Sequence, residues 1–186
     1  IGKQNKNPHY QSIQNILRYS FKSYFYCKKL YKKYSYDLCH AFFGIPSGYI
    51  AMRLGIPYVV CLRGSDVPGY SKRFSFLDTL IFRMLSKRIW KRAYKTIPVS
   101  THLKKLAEQT APNQFFYVIP NGIDSNEFIP MNNQKKSSFT ILFVGRLIPR
   151  KGLHTLLEAF NLSLRQNDSI RLHIVGDGPL REKLNE

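Results

Sequence analysis

Six short apolar runs, each ended by glycine or a polar turn and separated by stretches of helical period, constrain this chain more than any other feature. The runs are 36–44 (YDLCHAFFG), 57–62 (PYVVCL), 96–99 (TIPV), 114–119 (QFFYVI), 139–144 (FTILFV) and 170–175 (IRLHIV). Runs this short and this rich in Val, Ile, Phe and Tyr read as buried strands. Between them lie amphipathic segments. Over 10–34, Ile13, Ile16, Leu17, Phe21, Tyr24, Cys27 and Tyr31 share one side of a 3.6-residue wheel, with Arg18, Lys22, Lys29 and Lys33 opposite. A short helix over 47–55 is expected to stop at Gly55, and a long one over 74–94 to present Phe74, Leu77, Ile81, Met84 and Leu85. Ser100 is placed to cap a helix running to Ala111, Leu153, Leu156, Leu157, Phe160 and Leu164 form the stripe of another, and Pro179 suits the start of a last one. Strands alternating with helices specify an α/β fold of parallel βαβ units.

Size and charge divide the chain. Its 186 residues are 44% hydrophobic, enough for one or two domains with cores. The polar stretch 121–138, which ends NNQKKSS, reads as a boundary. We therefore expect residues 1–130 to belong to a first domain, 131–138 to a linker and 139–186 to a second. The second would hold 48 residues against the ~100–150 usual for a domain, so it is expected to be a first half only. In residues 1–105, twenty lysines and arginines stand against Asp37, Asp66 and Asp78, a balance of +17; residues 106–186 balance at +1. The first part should seek an anionic partner such as a membrane surface, an acidic acceptor or nucleic acid.

No run approaches 18 apolar residues, and the opening IGKQNKNPHY lacks the apolar core of a secretory leader, so a cytoplasmic protein is expected. Cys27, Cys39 and Cys61 follow no metal-binding spacing and are expected to be buried free thiols; no metal site is predicted. The chain begins with Ile1 and stops inside an expected helix, so both ends read as cut.

In open parallel sheets, ligands gather at the carboxyl ends of strands, where helix N-termini contribute partial positive charge. The residues directly after the apolar runs are therefore the candidates. They are Arg63, Gly64 and Asp66; Ser100 and Thr101; Asn121, Gly122 and Asp124; Gly145, Arg146, Arg150 and Lys151; and Gly176, Asp177 and Gly178. The segment 142–157 (LFVGRLIPRKGLHTLL) is the strongest, because Arg grips phosphate bidentately, Lys adds a point charge and Gly145 admits a close ligand. Taken alone, it is equally a solvated basic loop. It matches neither the P-loop nor the dinucleotide-binding glycine pattern. Asp66 reads as a sugar contact or a turn cap, Ser100 as a ligand contact or an N-cap, and Asn121, Gly122 and Asp124 mainly as a hinge turn. His40 and His173, within strands, read as structural.

The ordered motifs IPNGID…F…P (119–130), ILFVGRLIPRKGLHTLLEAF (141–160) and LHIVGDGPLREKL (172–184), preceded by VVCLRGSDVPGY (59–70) and AYKTIPVSTHLKKL (93–106), resemble those of retaining glycosyltransferases of family 4. The resemblance covers most of the chain from residue 36 onward. It implies a GT-B architecture, two Rossmann-like parallel-sheet domains facing across a cleft, both incomplete here. It further implies a nucleotide-diphosphate sugar donor as co-substrate, no other cofactor, and a saccharide or lipid-linked acceptor. Gly145, Arg146, Arg150 and Lys151 would hold the donor diphosphate, with Arg63, Gly64, Asp66, Ser100, Asn121 and Gly176 as further substrate contacts. Many members carry His where this chain has Arg63, and the family's paired glutamates would lie beyond Glu186, leaving the catalytic residues unassigned. The basic helix with its aromatic side suits peripheral attachment to the inner face of an anionic membrane, and envelope polysaccharide or glycolipid synthesis is the expected setting. A basic nucleic-acid-binding α/β protein and a GT-B relative without transferase activity are the competing classes. The strand-end motifs argue against nucleic acid as a partner.

Overall fold

The computed structural model describes residues 13–70, 81–129 and 139–184; the expected linker 131–138, the start of the first helix and residues 74–80 of the long helix lie outside them. The chain forms two units that part between Asp124 and Ser125, within the polar stretch 121–138. The first unit runs α1 (Ile13–Tyr34), β1 (Cys39–Phe42), a π-type turn at Gly44–Gly48, α2 (Tyr49–Leu54), β2 (Tyr58–Leu62), α3 (Arg83–Arg92), β3 (Lys95–Pro98) and α4 (Thr101–Thr110). Its strands lie in the order β1-β2-β3, all parallel, with Ala41 opposite Val60 and Val60 opposite Thr96. The second unit runs β4 (Thr140–Val144), a 3-10 turn at Pro149–Lys151, α5 (Leu153–Leu164), β5 (Arg171–Val175) and α6 (Arg181–Leu184), with β4 and β5 parallel and Leu142 opposite His173.

The core of the first unit follows from strand alternation. Tyr58, Val60 and Leu62 point to one face of β2 and are buried there with Ile89, Trp90, Leu103, Ala107 and Phe116. Trp90 and Phe116 meet edge to face at 5.6 Å, so Phe116→Ala would remove both a large apolar volume and that contact, a loss of about 3–5 kcal/mol. The Tyr58 hydroxyl, its pKa pushed up to about 12 chiefly by burial, donates to the Ile89 carbonyl at 2.6 Å. Gly55, at φ +76°, ends α2 in the left-handed conformation expected of it.

Several expectations are corrected. Residues 114–119 do not form a strand. They run beside β3 with Tyr117 N–H donating to the Thr96 carbonyl and Ile119 N–H to that of Pro98, and Phe116, just before them, turns into the core. Of the face expected for the long helix, Leu85 is half-buried against the core, Ile81 just before α3 and Met84 within it are exposed, and Phe74 and Leu77 lie outside the described residues; the fully buried side chains of α3 are Ser86, Ile89 and Trp90, the helix being seated by its large C-terminal aromatic. In α1 the face turned inward is narrower than the wheel suggested: Ile16, Tyr24, Cys27 and Tyr31 are half-buried, whereas Leu17 and Phe21 stand 64% and 67% exposed. All three cysteines are free, but only Cys61 is buried; Cys27 and Cys39 are half-buried, which raises both thiol pKa values. His40 and His173 do lie in strands, yet both are exposed.

The second unit is thinner. Ile141, Phe143, Leu172 and Ile174 alternate inward, and Leu153 at the head of α5 is buried, with Leu156, Phe160 and Leu164 half-buried along its stripe. The opposite sheet face, with Leu142, Val144 and Val175, is exposed among the described residues.

Candidate functional site

Past the ends of β4 and β5 the backbones stay zipped together. Gly145 N–H donates to the Val175 carbonyl, Leu147 N–H to that of Asp177, and Leu180 N–H back to that of Leu147. Closure at this range is possible only because Gly176 and Gly178 hold φ +154° and +157° with no side chain. A Cβ on Gly176 would lie 1.9 Å from the Gly145 carbonyl oxygen, and one on Gly178 would lie 2.4 Å from that of Leu147. Gly176, read from sequence as a substrate contact, therefore has a backbone-packing reason to be glycine.

The same closure leaves the side chains of the β4 loop outside. Arg146, Arg150 and Lys151 are exposed, and among the described residues no carboxylate lies within ion-pair distance of any of them. The 3-10 turn delivers Arg150 and Lys151 to Gly152, which at φ +70° opens α5 without a side-chain cap. Uncapped first-turn amides, their partial positive charge and three uncompensated cations make a surface suited to a diphosphate. Asp177 is occupied elsewhere, accepting from Gly178 N–H at 2.9 Å and facing Arg181 at 3.5 Å.

In the first unit a single side chain closes the strand ends. The Asp66 carboxylate, buried, accepts from Gly44 N–H at 2.7 Å with one oxygen, and from Arg63 N–H at 3.0 Å and Gly64 N–H at 2.9 Å with the other. It thereby ties the loop after β1 to the loop after β2. Burial pushes its pKa up, and the backbone N–H groups of Gly44, Arg63, Asp66 itself and Gly64 offset part of that rise. Gly64, at φ +134°, lies under the Tyr70 ring, 3.0 Å from where a Cβ would stand. Arg63 is exposed, its guanidinium 5.5 Å from the centre of the Phe42 ring, and Phe42 stacks on His40 at 4.4 Å.

The remaining candidates are simpler. Ser100 caps α4, its Oγ accepting from Leu103 N–H at 3.2 Å, and Asn121 is exposed in an irregular segment whose turn comes at Ser125–Glu127. The residues that sequence reasoning missed are Gly44 and Phe42. Gly44 ends an apolar run as the other candidates do, but its link to Asp66 crosses 22 residues and carries no local signal. Among the described residues no group of three or more His, Cys, Asp or Glu side chains is placed to hold a metal ion.

The family model for Glycosyltransferase Family 4 matches residues 5–127, about two thirds of the chain, and that for Glycosyl transferases group 1 matches residues 124–186. The chain belongs to glycosyltransferase family 4. Relatives agree. A putative teichuronic acid biosynthesis glycosyltransferase of Bacillus subtilis is 33% identical over 81% of the chain and 40% of its own length. A UDP-Gal:alpha-D-GlcNAc-diphosphoundecaprenol alpha-1,3-galactosyltransferase of Escherichia coli is 32% identical over 84% of the chain and 44% of its own. An uncharacterised glycosyltransferase of Methanocaldococcus jannaschii is 25% identical over 95% of the chain and 47% of its own. The chain thus spans less than half the length of these relatives. Among solved structures, sucrose-phosphate synthase from Thermosynechococcus elongatus superposes with a TM-score of 0.73 at 22% identity, over 94% of the chain and 46% of that protein. S. aureus TarM, solved with UDP among its ligands, gives 0.55 at 17% identity over 86% and 32%. The fold of this family-4 chain is accordingly of the GT-B class, as its motifs implied.

Proposed function

We propose that the polypeptide carrying this chain moves a sugar from a nucleotide-diphosphate sugar to a saccharide or lipid-linked acceptor, with retention of configuration, in envelope polysaccharide or glycolipid synthesis. The observation that carries the reading is the exposed cluster Arg146, Arg150 and Lys151, without an ion pair among the described residues, at the carboxyl end of β4 and directly before the uncapped start of α5. As the sugar–phosphate bond breaks, negative charge collects on the departing diphosphate. Arg146 and Lys151 neutralise it, which lowers the barrier because the charge they meet is larger in the transition state than in the bound donor. Gly145 admits the diphosphate to the backbone, and Arg150 adds to the field. The acceptor attacks on the face the diphosphate leaves, with a phosphate oxygen taking its proton. Gly64, Asp66 and Gly176 act by shaping the loops.

The acceptor class draws on the relatives, one named for teichuronic acid synthesis and one for a diphosphoundecaprenol acceptor. A peripheral position on the inner membrane face draws on α1. Leu17, Phe21 and Phe25 form an exposed i, i+4, i+8 stripe beside Arg18, Lys22 and Lys29. Among the described residues no helix is long and apolar enough to cross a membrane.

Calorimetric titration of the chain with UDP and GDP tests the diphosphate assignment. Arg146→Ala and Lys151→Ala should each weaken the preferred nucleotide about tenfold, the loss of one charge-assisted contact. Unchanged affinity in both variants overturns the assignment. Sedimentation with anionic liposomes, weakened by added salt and by Phe21→Ser, is the corresponding check on the membrane position.

A further inference from the structure

Arg63 stands one residue beyond β2, on the face of the sheet it shares with Cys61 and, across the β1–β2 register, with Phe42. The carboxylate nearest to it in sequence, Asp66, is where an ion-pair partner would be looked for. Instead Asp66 turns inward and spends both oxygens on the backbone N–H groups of Gly44, Arg63 and Gly64. The guanidinium is left exposed and, among the described residues, has no ion pair. Its guanidinium carbon lies over the Phe42 ring, 5.5 Å from the centre, and Phe42 in turn stacks on His40 at 4.4 Å. Asp66 fixes both ends of that stack, since Gly44 follows the Phe42 strand and Arg63 follows β2. A planar, charged fork without an ion pair among the described residues, set beside an aromatic ring at the carboxyl end of a parallel strand, is suited to receive two oxygens of one anion. The surrounding excess of positive charge favours a phosphate over a singly charged carboxylate.

We propose that Arg63, over the Phe42 ring and placed by the Asp66 link between the two strand ends, binds a phosphate group, so that the substrate met by the first unit carries a phosphate of its own. The proposal deepens the glycosyltransferase reading and rests on it for the word substrate. It is independent of the diphosphate surface at Arg146 and Lys151.

The test is residue-resolved and requires no transfer. Nitrogen-15 spectra of the whole chain are followed as inorganic phosphate replaces chloride at constant ionic strength. The Arg63 Nε–H and Gly64 amide signals should shift saturably. Arg63→Gln should lose the Gly64 shift, with phosphate affinity at this position down about tenfold, and Arg63→Lys should restore it in part. Far-ultraviolet circular dichroism checks that the variants fold. Shifts of equal size with acetate, or a Gly64 shift unchanged in Arg63→Gln, overturn the proposal. Vesicles of phosphatidylcholine with and without phosphatidic acid separate the sources. Arg63-dependent sedimentation with phosphatidic acid assigns the phosphate to a lipid; Arg63-independent sedimentation beside the soluble-phosphate shift assigns it to a soluble saccharide. A loss of nucleotide binding in Arg146→Ala with the Arg63 shifts intact would bear on the diphosphate surface alone.

Discussion

The two units close their strand ends by opposite means. In the first, one buried carboxylate gathers three backbone donors from two loops. In the second, backbone meets backbone and glycine supplies the room. The first device depends on a side chain's oxygens as hydrogen-bond acceptors, the second on the absence of side chains. The difference teaches what each loop can offer a ligand. Backbone closure leaves Arg146, Arg150 and Lys151 of the loop exposed while Leu147 and Ile148 turn inward, whereas closure by Asp66 consumes the acidic residue and leaves Arg63 without an ion pair among the described residues.

The contrast is broken most forcefully in the second unit. Gly176→Ala places a methyl 1.9 Å from the Gly145 carbonyl oxygen at a φ that side chains rarely adopt. It should cost about 3 kcal/mol or more and melt the second unit. The fluorescence of Trp90, the single tryptophan, lies in the first unit's core and should keep its transition, while the circular-dichroism melt loses amplitude at its former midpoint. A shared shift of both signals would mean the devices are not separable.

Next comes Asp66→Ala, which strands three backbone donors, one of them buried on the far loop. It should lower first-unit stability by about 2–3 kcal/mol, read as a fall in the Trp90 midpoint. Asp66→Asn keeps the shape but offers one acceptor in place of two, and should fall between wild type and Ala. The pH dependence sharpens the assignment. The folded pKa of Asp66 is raised, so between its unfolded value and that raised value the native state holds the extra proton, and its contribution weakens as pH rises through the window. Relative to Asp66→Asn, wild type should therefore be favoured most at the acid end of that window and level off above it. A difference that grows with pH would show a lowered pKa instead.

The smallest effect belongs to Ser100→Ala. One N-cap hydrogen bond to Leu103 is lost from α4, worth about 1 kcal/mol in the Trp90 melt, with the second unit indifferent.

Much of this was legible beforehand for a physical reason. The strands β1, β2, β3, β4 and β5, the stop at Gly55 and the cap at Ser100 each depend on neighbours within a few residues, and local chemistry is written locally. The extended segment at Phe116 was misread because its apolar run resembles a strand, yet only Tyr117 and Ile119 donate to β3. The α3 face was read only in part, Leu85 meeting the core and Met84 not, because Trp90 rather than the periodic run before it decides how that helix sits.

Sequence alone determined the alternation of strand and helix, the concentration of positive charge in residues 1–105, and the place of Arg146, Arg150 and Lys151 between a strand and a helix start. Tertiary structure alone decided that Asp66 turns inward to Gly44, that Arg63 lies over Phe42 without an ion pair among the described residues, and that Gly176 is glycine because of Gly145. Those contacts join segments some twenty to thirty residues apart, and such partners become neighbours only when parallel strands bring their carboxyl ends to one edge.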